Sequence, residues 1–321
     1  MQKNIRAAVA SDFEAVNAFI VEQLHSNVDL VENIGHYIIN AGGKRMRPIL
    51  VLLAARGCGA EGDAPVKLAA VIEFIHTATL LHDDVVDMSA MRRGRPTANA
   101  QWNNPSSVLV GDFIYSRAFQ ILVSLGHIGI MQVIADTTNT IAEGEVLQLL
   151  NKHRVDITEA EYMRVISDKT AVLFEAAAHC GAMIAGADAQ TQQALKAAGR
   201  DIGLAFQLVD DALDYDGNAE ELGKNVGDDL AEGKPTLPLI HALKHAGEHD
   251  RDLIRQAIIN GGTDRLQDVV RIVHHCGGLD YTRQLAQAHA VSAAGKIMTL
   301  PDSAFRTALL QMSELAVARV S

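Results

Sequence analysis

Apolar residues return every three or four positions along most of this chain, a spacing that admits little besides helices. The pattern runs through Val66–Val86, Ser107–Leu125, Ile130–Leu150, Glu159–Ala187, Thr191–Asp214 and Pro238–His245. No segment alternates in the period-2 manner of a half-buried strand. Pro, which would break such helices, supplies only 7 of 321 residues. Breaks fall instead at turn chemistry: Gly42-Gly43, Arg93-Gly94-Arg95-Pro96, Asn103-Asn104-Pro105, Asp216-Gly217-Asn218 and Gly233-Lys234-Pro235. No linker-like run of Gly, Ser and Pro divides the chain. The expected architecture is an all-α, single-domain helical bundle of about ten or more helices over residues 1–321.

A net charge of −11 argues against a nucleic acid partner, because phosphates would be repelled. Anionic ligands then need metal ions or locally basic turns. Cys58, Cys180 and Cys276 lie far apart, so neither a disulfide framework nor a zinc site is expected, and a reducing, cytoplasmic setting follows. The opening stretch MQKNIRAAVASDFEAVNAFI has acidic residues and no apolar signal core. No apolar run reaches about 18 residues without a charge, so no spanning helix is expected.

Two acidic clusters punctuate the helical pattern. Leu81-His82-Asp83-Asp84-Val85-Val86-Asp87 ends one apolar helix, with Asp83 and Asp87 about 40° apart and one turn removed. Phe206-Gln207-Leu208-Val209-Asp210-Asp211-Ala212-Leu213-Asp214 ends another, where Gln207, Asp211 and Asp214 share nearly one face. Like charges at these spacings repel, and carboxylates at a helix C-terminus oppose its dipole. A cation between them removes both costs. Mg²⁺ suits six such carboxylates: it takes oxygen ligands, keeps waters and is shared with phosphates. A single cluster reads as a solvated helix end; two, each after an apolar helix, point to cations. An EF-hand loop is excluded by the missing Gly and Glu positions.

Basic residues gather at turns: Gly42-Gly43-Lys44-Arg45-Met46-Arg47-Pro48, Met91-Arg92-Arg93-Gly94-Arg95-Pro96-Thr97, Asp168-Lys169-Thr170, and Lys224 with Lys234 flanking Asp228-Asp229. Arg offers forked contacts to phosphate and Lys a point charge. His76 precedes Asp83 by seven residues, about 20° round the same helix, where a buried structural role and a ligand contact both remain open.

The motifs GGKRMRP, LLHDDVVD, RRGRPT, SDKTA, FQLVDDALD and GKNVGDDLAEGKPTLP occur in the order typical of trans-prenyl diphosphate synthases. The chain resembles that family over nearly its whole length, most weakly before residue 30 and after residue 250, and is most similar to bacterial enzymes that make octaprenyl side chains for ubiquinone and menaquinone. The resemblance implies the isoprenoid synthase fold around a deep apolar cavity, a homodimer, and on the order of two or three Mg²⁺ per site. It implies that Asp83, Asp84, Asp87, Asp210, Asp211 and Asp214 are the metal-binding aspartates. It assigns Lys44, Arg47, His76 and Arg93 to isopentenyl diphosphate. Arg92, Lys169, Thr170, Gln207, Lys224 and Lys234 fall to the allylic diphosphate, with Lys169 also catalytic. The family associates Ala78 and Thr79 with the floor of the product channel. Both are small here, so a long product is expected, with Leu122 and Ile134 as a deeper floor.

Terpene cyclases lack a GGKRxRP site, and head-to-head synthases carry different acidic motifs and an apolar tail. Non-catalytic synthase subunits lose aspartates that are all present here. A synthase of geranylgeranyl or nonaprenyl chains is the near alternative.

Overall fold

The computed structural model describes residues 2–216, 227–261 and 264–318, and they are helical nearly throughout. They form two compact units, each assembled from three separated stretches of chain. Unit 1 takes residues 1–138, 173–199 and 294–312; unit 2 takes 139–172, 200–293 and 313–321.

In unit 1, α1 (Gln2–Ala7), α2 (Ala10–Gln23), α3 (Asp29–Ile39) and α4 (Met46–Gly57) lead into α5 (Ala64–Val86). Leu68, Val71, Ile72, Phe74, Ile75, Ala78 and Leu81 are buried on every side of α5, which is therefore the unit's core helix. It packs along α7 (Asn104–Leu125) and against α2 and α4. Pro65 starts α5, and Asp87 closes it. Between α5 and α7 lie the short α6 (Ala98–Gln101) and a two-residue hairpin, Met91–Arg92 against Arg95–Pro96. No strand was expected, since two residues are too few to show alternation. Asn103 caps α7 by accepting from the Ser106 N–H at 2.8 Å, and left-handed Gly126 ends it.

α8 (Ile128–Asn151) and α11 (Ala189–Leu213) each pass from one unit's residues into the other's. The helix expected over Glu159–Ala187 is three pieces: α9 (Glu159–Ile166), a π-helical turn (Ser167–Ala171) and α10 (Val172–Ile184). Thr158 and Glu161 form a reciprocal capping box at the start of α9. In unit 2, α12 (Asp228–Ala231) precedes α13 (Leu237–His245), α14 (Glu248–Asn260) and α15 (Leu266–His275), the last three packing mutually. Leu239, Ile254, Ile258, Val269 and Val273 are among their shared core. α16 (Gly278–Ile297) and α17 (Ala304–Val317) are the last helices among the described residues.

α5 and α7 are each long and apolar enough to cross a membrane by length and composition, despite their few charges. Most of α5's apolar window, 72%, is buried in the fold, whereas only 33% of α7's is. Leu109 and Val123 of α7 are 66% and 64% exposed and lie fourteen positions apart on one face.

Candidate active site

Unit 1 brings two basic turns and the first acidic cluster together. Gly42 and Gly43 have φ of 83° and 136°, and a Cβ on Gly43 would stand 2.6 Å from Arg93 Nη1. Glycine is required here because the Arg93 guanidinium lies against the backbone and donates to the Gly42 carbonyl. The preceding residue, Arg92 at the end of the first hairpin strand, forks onto Asp84 with Nε donating at 2.9 Å to Oδ1 and 3.1 Å to Oδ2. One hairpin thus ties the GGKRMRP turn to the end of α5. Tyr37 steadies it from α3, donating to the Pro96 carbonyl at 2.7 Å.

The first three aspartates differ in setting. Asp84 is fully buried, and its carboxyl is pushed up by burial while Arg92 opposes that shift. Asn99 donates to the Asp84 carbonyl at 3.3 Å and fixes the same turn. Asp83 and Asp87 are half-buried, on the more exposed side of the helix end.

Arg47 is the most enclosed cation of the group. Its guanidinium lies 4.3 Å over the Phe174 ring, and burial lowers its pKa to about 10, still charged at neutral pH. Nη1 donates to His76 Nε2 at 3.3 Å, so the His76 ring is neutral with its proton on Nδ1. Burial first, and then the cations Arg47, Arg93, Arg92 and Arg45, hold His76 well below the ordinary imidazole value. Arg47 Nε is buried with no hydrogen-bond partner among the described residues, a donor that an anionic ligand would satisfy. Lys44 adjoins these groups in the chain, its carbonyl accepting from Arg6 at 3.4 Å. Arg45 has another duty: left-handed at φ 50°, it pairs with buried Glu73 and donates to the Ile39 carbonyl at 2.9 Å. Glu73 sits mid-helix in an apolar stretch, so its buried carboxylate needs such a partner.

Unit 2 carries the second cluster. Tyr162 donates to Asp211 Oδ2 at 2.5 Å and Gln207 Nε2 to Oδ1 at 2.7 Å, while Thr170 donates to Gln207 Oε1 at 3.0 Å. Thr170, Gln207, Asp211 and Tyr162 thus form one chain of hydrogen bonds. Asp214 accepts the backbone N–H groups of Asp228 and Asp229, both at 3.2 Å, and so caps α12. Burial, then the Asp229 carboxylate, pushes both Asp211 and Asp214 upward. Asp210 is less buried than either. Lys169, on the π-turn, pairs with Glu145 of α8 at 2.7 Å. Lys234 follows α12, its N–H donating to the Asp229 carbonyl at 2.8 Å and its side chain paired with Glu232. Lys224 lies outside the described residues.

Of the channel-floor candidates, Ala78, Leu122 and Ile134 are buried and Thr79 is half-buried, its hydroxyl donating to the His76 carbonyl at 2.8 Å. Tyr162, Asp229, Glu145, Glu73 and Asn99 went unmarked in the sequence because their roles come from long-range pairing. Only Asp229, inside the GKNVGDDLAEGKPT motif, stood where attention was already drawn.

Among the described residues, no three His, Cys, Asp or Glu side chains gather closely enough to cage an ion. The candidate donors are carboxylate oxygens at half-buried helix ends, which suits Mg²⁺, a cation that keeps waters and shares phosphate oxygens.

Comparison with known proteins bears on both clusters. The profile of the family described as Polyprenyl synthetase matches residues 28–275. The chain is 53% identical over 318 residues to an octaprenyl diphosphate synthase of Escherichia coli (strain K12), covering 99% of this chain and 98% of that one. The crystal structure of a polyprenyl synthase from Caulobacter crescentus CB15, complexed with calcium and isoprenyl diphosphate, superposes with a TM-score of 0.96 at 41% identity, over 100% of this chain and 98% of that one. A decaprenyl diphosphate synthase from Rhodobacter capsulatus gives 0.95 at 44% identity over the full length of both. The all-α architecture is thus the isoprenoid synthase fold of these enzymes.

Proposed function

Because this chain belongs to the polyprenyl synthetase family, we propose that it condenses isopentenyl diphosphate stepwise onto an allylic diphosphate, farnesyl diphosphate serving as primer, to give all-trans octaprenyl diphosphate for a quinone side chain. The observation that carries this reading is the grouping in unit 1 of Arg47 with His76 and of Arg93 against the Gly42–Gly43 backbone, with the adjacent Arg92 tied to the acidic end of α5. Carboxylates at a helix end, joined through Arg92 to a turn that carries further cations, fit a diphosphate that arrives with metal ions.

Lys44, Arg47, His76 and Arg93 orient isopentenyl diphosphate, with Arg47 Nε as a donor that otherwise stays unmatched. Arg92, Lys169, Thr170, Gln207, Lys224 and Lys234 are assigned to the allylic diphosphate on the family resemblance, and their cationic groups would stabilise negative charge as the allylic C–O bond breaks. The double bond of isopentenyl diphosphate attacks the allylic carbon, and the departing diphosphate accepts the proton lost from the new chain. Bound Mg²⁺ supplies Lewis-acid neutralisation of that leaving group. Asp83, Asp87 and Asp210 are the less buried donors for it. Asp84, Asp211 and Asp214, whose oxygens already accept from Arg92, Tyr162, Gln207 and the α12 backbone, shape the two helix ends. Apolar walls that include Ala78, Leu122 and Ile134 exclude water from the growing chain.

The exposed apolar face of α7, with Leu109 and Val123, suits a second copy of the chain, giving a homodimer. A single cytoplasmic domain, acting as that dimer, is the working unit.

The test uses purified protein with farnesyl diphosphate, isopentenyl diphosphate and Mg²⁺, followed by sizing of the product. An octaprenyl end point is expected, and a geranylgeranyl end point would overturn the long-chain assignment. Asp83→Ala is expected to cut turnover by about two orders of magnitude or more with the circular dichroism spectrum unchanged. Near-normal turnover would remove Asp83 from the metal site.

A further inference from the structure

His153, in the connection after α8, has a backbone that side chains other than Gly seldom adopt, with φ of 64°. Its N–H donates to the Gly233 carbonyl at 2.7 Å. Its ring Nδ1 lies 2.9 Å from the Ile258 carbonyl at the end of α14. A carbonyl only accepts, so the proton sits on Nδ1 and that tautomer is fixed. The ring is wedged between two glycines of positive φ, Gly233 at 69° and Gly261 at 58°. A Cβ on Gly233 would overlap the imidazole, and one on Gly261 would stand 2.9 Å from its Cε1. Lys152 approaches Glu232 at 4.0 Å, and Glu232 also pairs with Lys234. The segment carrying Lys234 is therefore gripped from the side of residues 152–153 through main chain, ring and charge together.

We infer that His153 is a positioning residue for Lys234: it fixes the Gly233 backbone, and through it the place from which the Lys234 ammonium meets the allylic diphosphate. The inference rests on the assignment of Lys234 to the allylic site. An ammonium displaced from a diphosphate weakens a charge-assisted hydrogen bond, which corresponds to about a tenfold loss of affinity. The effect falls on one substrate, because the residues given to isopentenyl diphosphate belong to unit 1.

The test is a double-mutant cycle read in KM for each substrate. His153→Ala is expected to raise KM for farnesyl diphosphate about tenfold and to leave KM for isopentenyl diphosphate within about twofold. His153→Asn, which tolerates the left-handed backbone and keeps an N–H for Ile258, is expected to recover most of the loss. In a Lys234→Ala background, His153→Ala is expected to add nothing further. An equal KM increase in that background overturns the inference, as does a lowered melting temperature with unchanged KM. If Lys234→Ala itself leaves the allylic KM at the wild-type value, the assignment of Lys234 falls and this inference with it. Should His153→Ala fail to fold, His153→Asn with Gly233→Ala decides: a selective allylic KM increase in Gly233→Ala supports the grip, and equal effects on both substrates overturn it.

Discussion

Asp84 and Asp211 each follow a less buried aspartate in the chain, and each turns inward to hydrogen-bond donors. The motif pattern named all six acids alike, since spacing alone gives every member of a DDxxD run the same weight. Which one turns inward depends on Arg92 and Tyr162, residues brought in by other elements. Tyr162→Phe removes the hydroxyl from Asp211 Oδ2 in a buried setting. It is expected to lower unfolding free energy by about 1–3 kcal/mol, measured by urea denaturation. His76 supports a pH prediction. The folded ring stays neutral well below the ordinary value of 6.5, while the unfolded chain takes up its proton near that value. The unfolded state therefore binds more protons as pH falls through 6.5, and the stability present above it is progressively lost. His76→Gln is expected to flatten this decline by up to about 1.4 kcal/mol per pH unit, read as the urea midpoint between about pH 7 and pH 5. The same acid sensitivity in both proteins would place the titrating group elsewhere.

Periodicity located the long helices to within a few residues, as with Ala189–Leu213 against the expected Thr191–Asp214, because one apolar stripe per helix must meet the core. It could not find the π-turn at Ser167–Ala171. Five residues are too few to shift a periodic signal, and the cause lies partly on another helix. Gly144 of α8 comes so close that a Cβ would stand 2.7 Å from the Lys169 nitrogen and 2.9 Å from the Asp168 carbonyl carbon. π-turns inside helices frequently accompany functional sites, and here the turn presents Lys169 and Thr170. Gly144→Ala is expected to push against that backbone, costing about 1–3 kcal/mol and at least about tenfold in turnover. Gly295→Ala is the control: helical and open around its Cβ, it is expected to gain up to about 1 kcal/mol and to leave turnover alone. Thermal melts and steady-state rates on both variants check the pair.

At the scale of the molecule, the helical class was readable, because apolar residues recur at helical spacing along most of the chain. The interleaving of the two units was not, since it depends on which helices return to which core. Nor was the exposure of α7, whose apolar residues look from sequence like those of α5 although half as much of its apolar stretch is buried. Leu109→Glu places a charge on that face and, if the proposed homodimer forms there, is expected to yield monomer in sedimentation velocity, with the helical content retained. The division of the chain also governs its biogenesis. Residues 294–312 belong to unit 1 and those from 313 onward to unit 2, so neither core has all its parts until α17 leaves the ribosome. Translation that halts before Ala304 delivers no working half, only a chain with two unfinished cores for chaperones and proteases to sort.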